Sequence, residues 1–274
     1  MLTIASASGN IFAFLWSADS EVIQTHSRIS IGSEWAKKVC PKGHGLGLDG
    51  FFILDPPVLG RSWNIDHWDP DGSPSFCSNG TRVAVALLPE IFHGQLEVCS
   101  NNQSVLVNRR GLEVSMRLPQ GADYKLDDPP AKLPYPAIYG WSGTPHLILQ
   151  VPDIDSIDLR ILAPPLRFHP ELPQGANVSI LQILKPGLAK IRTWEKGVEG
   201  ETHSCGQAAA VAVAWMAEQS NILSWQIQPQ GMDMLELNIK KIENRRWSEL
   251  WLGGSVRILG ELTPGLSLGL SHAK

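Results

Sequence analysis

Apolar and polar positions alternate along most of this chain at short spacing, which predicts a strand-rich fold with few helices. Met1–Ile4, Ile11–Trp16 and Val22–Ile31 read as strands, and Phe51–Leu54, a continuous apolar run stopped by Pro56-Pro57, reads as a buried one. Leu96–Cys99, Ser104–Val107 and Leu112–Met116 alternate like an antiparallel meander. Helical spacing is predicted over Glu34–Val39 with Ser33 as N-cap, over Gly80–Leu88, near Ile154–Leu162, and over Gly206–Gln219. Further strands are predicted at Leu147–Val151, Val178–Leu184, Lys190–Thr193, Leu223–Gln228, Met234–Ile239 and Ser255–Leu259. The polar, proline-rich stretch Pro119–Pro136 reads as a connection between halves. The expected class is α+β, with two similar strand-rich halves, each around a buried helix.

Composition narrows this picture by exclusion. With 43% hydrophobic and 18% charged residues in 274, the chain can bury a sizeable core. A net charge of −4 gives no basic footprint for nucleic acid. No apolar run approaches the length of a membrane span, and Met1–Leu15 lacks the basic start of a secretory signal, so no membrane partner and a cytoplasmic location are expected. The four cysteines, at 40, 77, 99 and 205, form no CxxC pair, which argues against a structural metal site.

Two glycine patterns invite over-reading. Gly45-Leu-Gly47-Leu-Asp-Gly50 matches GxGxxG, but a strand follows it where a dinucleotide site needs a helix. Gly140-Trp-Ser142-Gly143 misses the nucleophile elbow by the place of its second glycine.

The cysteines carry more. Cys77 and Cys205 each stand immediately before a small-residue run that opens a predicted helix, about half the chain apart, as an internal duplication would place them. N–H groups and the dipole at a helix start favour an anion, so a thiolate is accessible there, and the same groups can hold a carboxylate. A pair of such thiols suits one reaction class. Inverting a stereocentre next to a carboxylate needs a base on one face and an acid on the other, with the carbanion stabilised in between. The bland alternative for any single cysteine is a small buried hydrophobe.

In chain order the motifs are Ser8-Gly9-Asn10-Ile11-Phe12, Ala36–Cys40, Gly45–Leu54, Asp71-Gly72-Ser73, Cys77-Ser78-Asn79-Gly80-Thr81-Arg82, Gly143-Thr144-Pro145-His146, His169–Val178 and Glu195–Gly206. Together they resemble the diaminopimelate epimerase family along essentially the whole chain. The resemblance implies two α/β domains around central helices, 1–117 with 254–274 and 118–253, whose site takes a small amino acid without a cofactor or metal; a homodimer is compatible with it. It implies Cys77 and Cys205 as the acid–base pair, and Asn10, Asn177 and Glu195 as substrate contacts. It further implies backbone N–H groups at Ser78, Asn79, Gly206 and Gln207 around the carboxylate, with His146 and Glu195 beside the thiols.

The departures fall at the substrate's far end. The family's asparagine before its ADGS segment is Asp69, the asparagine of its GNPH segment is Thr144, the arginine after Glu195 is Lys196, and Glu199 is inserted. The resemblance places Asp69, Thr144 and Lys196 around that far end. An epimerase of diaminopimelate is the leading expectation, and a racemase of another amino acid on the same fold is the second. A non-catalytic amino-acid-binding protein is the third; the retained Cys77, Cys205, Asn10 and Glu195 speak against it.

Overall fold

The computed structural model describes residues 1–19, 28–57, 62–118, 124–231, 233–240 and 242–263. It divides into two compact units, Met1–Leu112 with Val256–Lys274, and Glu113–Ser255.

In the first unit, β1 (Leu2–Ala7) and β2 (Asn10–Trp16) form a hairpin. Its turn residues, Ser8 and Gly9, have φ of 54° and 85°, the signature of a mirror-image two-residue turn. β2 runs parallel to β3 (Gly50–Asp55) through α1 (Arg28–Val39). β3 is antiparallel to β4 (Trp63–Trp68). β4 is parallel to β5 (Gly94–Ser100) through α2 (Ser78–Leu87), and β5 is antiparallel to β6 (Gln103–Arg110). The apolar run Phe51–Leu54 is continuous because both faces of β3 are covered. Phe51 and Ile53 pack with Ala36, Val39 and Trp68 on the α1 side. Phe52 stacks on Phe14 at 4.8 Å and lies under Gly80 of α2, where a Cβ would sit 2.0 Å from its ring. From Ser78 to Ala86, α2 is buried.

In the second unit, β9 (Ala137–Ser142) and β10 (Pro145–Gln150) form the hairpin. β10 is parallel to β11 (Asn177–Lys185) through α3 (Leu159–Arg167), and β11 is antiparallel to β12 (Leu188–Glu195). β12 is parallel to β14 (Ser224–Gln228) through β13 (Gly200–Thr202) and α4 (Gly206–Ser220). β14 is antiparallel to β15 (Leu235–Ile239). Leu159, Ala163 and Leu166 of α3 pack on Leu147, Leu149, Val178 and Ile180. β18 (Leu250–Leu262) pairs with β15 and with β7 (Glu113–Arg117) by its first half, and with β1 by its second. β8 (Tyr124–Asp127) pairs with β9 and with β17 (Arg246–Trp247), which pairs with β16 (Ile242–Glu243).

Four predicted elements are corrected. Arg28–Val39 is one helix, so Ser33 lies inside it and the strand predicted over Val22–Ile31 does not exist at residues 28–31; residues 22–27 lie outside the described set. The second helix of that unit starts at Ser78, two residues before the predicted Gly80, because Cys77 caps it. The helix predicted near Ile154–Leu162 runs from Leu159 to Arg167, opened by Asp158, whose carboxylate accepts from Arg160 N at 3.0 Å. It contains Pro164 and Pro165, which deprive the carbonyls of Arg160 and Ile161 of donors. Both of those residues are exposed, so water takes the bonds. The GxGxxG look-alike ends at the first residue of β3, with no helix behind it. Among the described residues, no helix is long and apolar enough to cross a membrane.

Candidate active site

Each unit presents a cysteine as the N-cap of its buried helix. Cys77 caps α2 with φ −121° and ψ 110°, and Cys205 caps α4 with φ −124° and ψ 105°. Both are half-buried. In α2, Thr81 N bonds Cys77 O at 2.8 Å; in α4, Ala209 N bonds Cys205 O at 3.1 Å. Helix geometry leaves the N–H groups of Ser78 and Asn79, and of Gly206 and Gln207, without intrahelical acceptors. The caps differ in one respect: Cys77 Sγ accepts from Gly80 N at 3.4 Å, and Cys205 makes no side-chain cap bond.

A relay of buried polar groups fixes the start of α2. Arg82, with no exposed surface, donates from Nη2 to Asn79 Oδ1 and Ser8 Oγ, both at 3.0 Å. Asn79 Nδ2 in turn donates to Asn10 Oδ1 at 2.8 Å. Asp49 holds the next residue at both ends: Ile11 N donates to its carboxylate and its own N donates to Ile11 O, each at 2.8 Å. Asn10, Ser78 and Asn79 are thus brought to one helix end. Ser8 and Arg82 were missed from the sequence, although an arginine within a run of small apolar residues marks a buried charge that must be satisfied.

The start of α4 is held by neutral groups. Thr144 Oγ1 donates to Gln207 Oε1 at 3.1 Å, lies 3.0 Å from His146 Nε2, and accepts from Asn177 Nδ2 at 3.4 Å. A hydroxyl has one hydrogen, so the proton on the His146 contact belongs to Nε2. His146 is completely buried, and burial lowers its pKa to about 3, so the ring is neutral. Ser142 Oγ donates to Gln207 O at 3.0 Å. Asn177, nearly buried, also donates to Pro145 O at 3.0 Å and accepts from Lys196 N at 2.8 Å, so its amide staples the start of β10 to the end of β12. Lys196 Nζ donates to Gln174 O at 2.8 Å. Glu195 closes β12, and its carbonyl accepts from Glu199 N at 2.9 Å.

Asp69 sits in the hairpin between β4 and α2, where its carboxylate lies 3.8 Å from Nε2 of the buried His67. Cys40 is buried, and burial together with Asp49 and Asp69 pushes its thiol up to about 12, which makes it unreactive by comparison with an ordinary cysteine.

The model of the family described as diaminopimelate epimerase matches residues 139–243. A diaminopimelate epimerase of Methanocella arvoryzae is 31% identical over 202 residues, 66% of this chain and 70% of that protein. Among solved structures, a phenazine-biosynthesis PhzC/PhzF protein from Clostridium difficile superposes with a TM-score of 0.70 at 10% identity, over 97% of this chain and 99% of that one. A hydroxyproline epimerase from Agrobacterium vitis gives 0.58 at 13% identity, over 94% and 90%. At such identities these two likenesses speak for the fold.

Proposed function

The chain belongs to the diaminopimelate epimerase family, a group of cofactor-independent isomerases, and we propose that it interconverts the LL and meso isomers of diaminopimelate through Cys77 and Cys205. One observation carries this reading: two cysteines cap two buried helices in nearly the same backbone conformation. The order of pairings supports an internal repeat, since each unit runs antiparallel, parallel, antiparallel, parallel, antiparallel from its hairpin onward. We therefore read the halves as pseudo-symmetric, each around its cysteine-capped helix.

In this mechanism one cysteine, as thiolate, takes the α-proton; the Cα–H bond breaks and an S–H bond forms. The other, as thiol, delivers its proton to the opposite face, and the two exchange roles for the opposite isomer. The N–H groups at Ser78, Asn79, Gly206 and Gln207 bind the substrate carboxylate and stabilise the charge that develops on it. Asn10 has its Oδ1 end turned to Asn79, which leaves its Nδ2 end to serve substrate. Asn177 and His146 act through their neighbours, Lys196 and Thr144, and Glu195 lies at the same turn. Asp69, Thr144 and Lys196 face the substrate's far end.

A second reading, racemisation of another amino acid, is favoured by one feature: Asp69 offers a carboxylate where the family pattern has an amide, while the ammonium of Lys196 is engaged by Gln174 O. Reaction in deuterium oxide with LL-diaminopimelate and with ordinary amino acids separates the two. The proposal expects α-deuteration and meso product from LL-diaminopimelate, and no racemisation by Cys77→Ala or Cys205→Ala. Deuteration of a different amino acid alone would overturn the substrate, and near-normal racemisation by either variant would overturn the two-thiol mechanism.

A further inference from the structure

Arg167 is the last residue of α3, and its side chain is only 9% exposed. Gly175 is what admits it: at φ 61° that glycine comes so close that a Cβ would stand 1.9 Å from Nη1. The exposed Phe168 lies over the guanidinium, whose Cζ is 4.6 Å from the ring centroid. A buried cation needs a counter-charge. Glu199 supplies it, accepting at Oε1 from Nη2 at 3.0 Å and from Nε at 3.2 Å.

Glu199 holds a conformation that its backbone alone would not choose. It stands in the turn between β12 and β13 at φ 51°, a region that residues with a Cβ seldom adopt. Gly197 in the same turn has φ 91°, and all four residues from Lys196 to Glu199 are exposed. An exposed turn that contains glycine has several shapes open to it. The Glu199 carboxylate selects one. Besides the guanidinium, it accepts from Gly197 N at 3.1 Å and from the side chain of Trp194, which packs on the core of the unit. Desolvation opposes its charge, but Gly197 N, the Arg167 guanidinium and Trp194 outweigh that and hold its pKa below the ordinary carboxylate value.

The same stretches of chain are joined again at the candidate site. Arg167 O accepts from Ala176 N at 3.3 Å, and Oδ1 of the next residue, Asn177, accepts from Lys196 N at 2.8 Å. Lys196 Nζ reaches back to Gln174 O at 2.8 Å. Residues 174–177 and 195–199 are thus pinned to each other, with Arg167 and Glu199 at one end of the seam and Asn177 and Lys196 at the other.

We propose that Arg167 and Glu199 are positioning residues: their ion pair fixes the turn that carries Lys196, and so sets how tightly the far end of the substrate is held, without taking part in proton transfer. This rests on the reading that Lys196 faces that far end. Cys205 is set by a different element, the start of α4, so loss of the pair acts on binding and spares the chemical step.

Two measurements on the whole protein test this. Glu199→Gln is the informative variant, because the position is exposed and a glutamine oxygen still accepts from Gly197 N while the ion pair is lost. Arg167→Met, which fills much of the same space without the charge, checks the other partner. Backbone hydrogen exchange needs no substrate: the Lys196 amide should exchange about tenfold faster in either variant than in the wild type, and an unchanged rate overturns the latch. Steady-state kinetics read its role. With LL-diaminopimelate, KM should rise about fivefold or more while kcat stays within about twofold. A freed amide with an unchanged KM overturns the role in holding substrate, and so does a fall in kcat at constant KM, which a merely structural defect would give. If the wild type turns over another amino acid instead, the diaminopimelate reading falls, and the same split in KM and kcat judges the pair on that amino acid.

Discussion

Removing the Thr144 hydroxyl by the near-isosteric Thr144→Val isolates the polar support under the Cys205 helix. That oxygen has one hydrogen and two acceptor sites, and all are used: it donates to Gln207 Oε1 and accepts from His146 Nε2 and Asn177 Nδ2. The three losses are unequal. Gln207 is half-buried and Thr144 exposed, so water replaces that bond. Asn177 keeps its 3.0 Å bond to Pro145 O. His146 keeps nothing, because it has no exposed surface and its Nδ1 already lacks a partner. The cost is therefore that of one orphaned buried donor, about 1–3 kcal/mol, while Thr144→Ser should cost within about 0.5 kcal/mol. Urea unfolding of the two variants measures the difference. Gln207 is the second residue of α4, two after the cap, so losing its side-chain tether should also lower kcat/KM by about tenfold, or ~1.4 kcal/mol. If Thr144→Val matches Thr144→Ser in both unfolding midpoint and kcat/KM, the hydroxyl does not organise this helix start.

Two further outcomes follow from burial. His146 has a folded pKa of about 3 against an ordinary 6.5, so the unfolded chain binds a proton that the native one refuses. Its contribution is therefore complete above pH ~6.5 and is lost as pH falls toward 3, at about 1.4 kcal/mol per pH unit. Stability measured across that range should slope less steeply, by one proton, in His146→Gln; equal slopes would contradict the buried neutral ring. Cys40, held up at about 12, should be alkylated far more slowly at pH 8 than Cys77 or Cys205, as peptide mapping after timed iodoacetamide treatment reports. Comparable labelling of Cys40 would show that its burial is not maintained in solution.

Elements whose spacing and punctuation agree were legible in the sequence. The small-residue runs after Cys77 and Cys205 gave both buried helices, since only a helix packed close on its neighbours favours so many glycines and alanines; Gly80 against Phe52 shows the reason. Elements read wrongly lie where local signals conflict. Arg-Ile-Ser-Ile at 28–31 has β-branched residues at alternate positions and reads as a strand, but tertiary packing of Ile31 and Ala36 makes it helical. Trp63–Trp68 does alternate, with Trp63, Ile65 and His67 buried and Asn64 and Asp66 half-buried, yet its polar letters hid it. Ala137–Ser142, just past the proline-rich connection, carries no predicted strand because Gly140 looks like a breaker; in the structure that glycine admits Val211 of α4, whose Cγ1 would lie 2.6 Å from a Cβ. Of the candidate site, the two caps were legible because a helix start is local. The Ser8–Arg82 contact was not, because it joins residues 74 apart in the chain through the fold.

The positions at which this chain leaves its family pattern bear on whether the site is retuned or decayed. Loss of function relaxes positions independently, and leaves polar groups without partners. Here the departures Thr144 and Glu199 are bonded to their neighbours. Thr144 supplies one oxygen that satisfies three neighbours. The inserted Glu199, at φ 51°, turns its carboxylate to Gly197 N at 3.1 Å and to Nε and Nη2 of the buried Arg167 at 3.2 and 3.0 Å. Arg167 O in turn accepts from Ala176 N, next to Asn177, so the insertion ties the turn after Glu195 to the strand start that carries a substrate-binding candidate. Asp69 faces His67, and His67 fits only because position 50 is glycine. Compensation of this kind costs several coordinated residues, and a protein that merely retained the fold has no need of it. It favours a working epimerase over a protein that merely kept the fold.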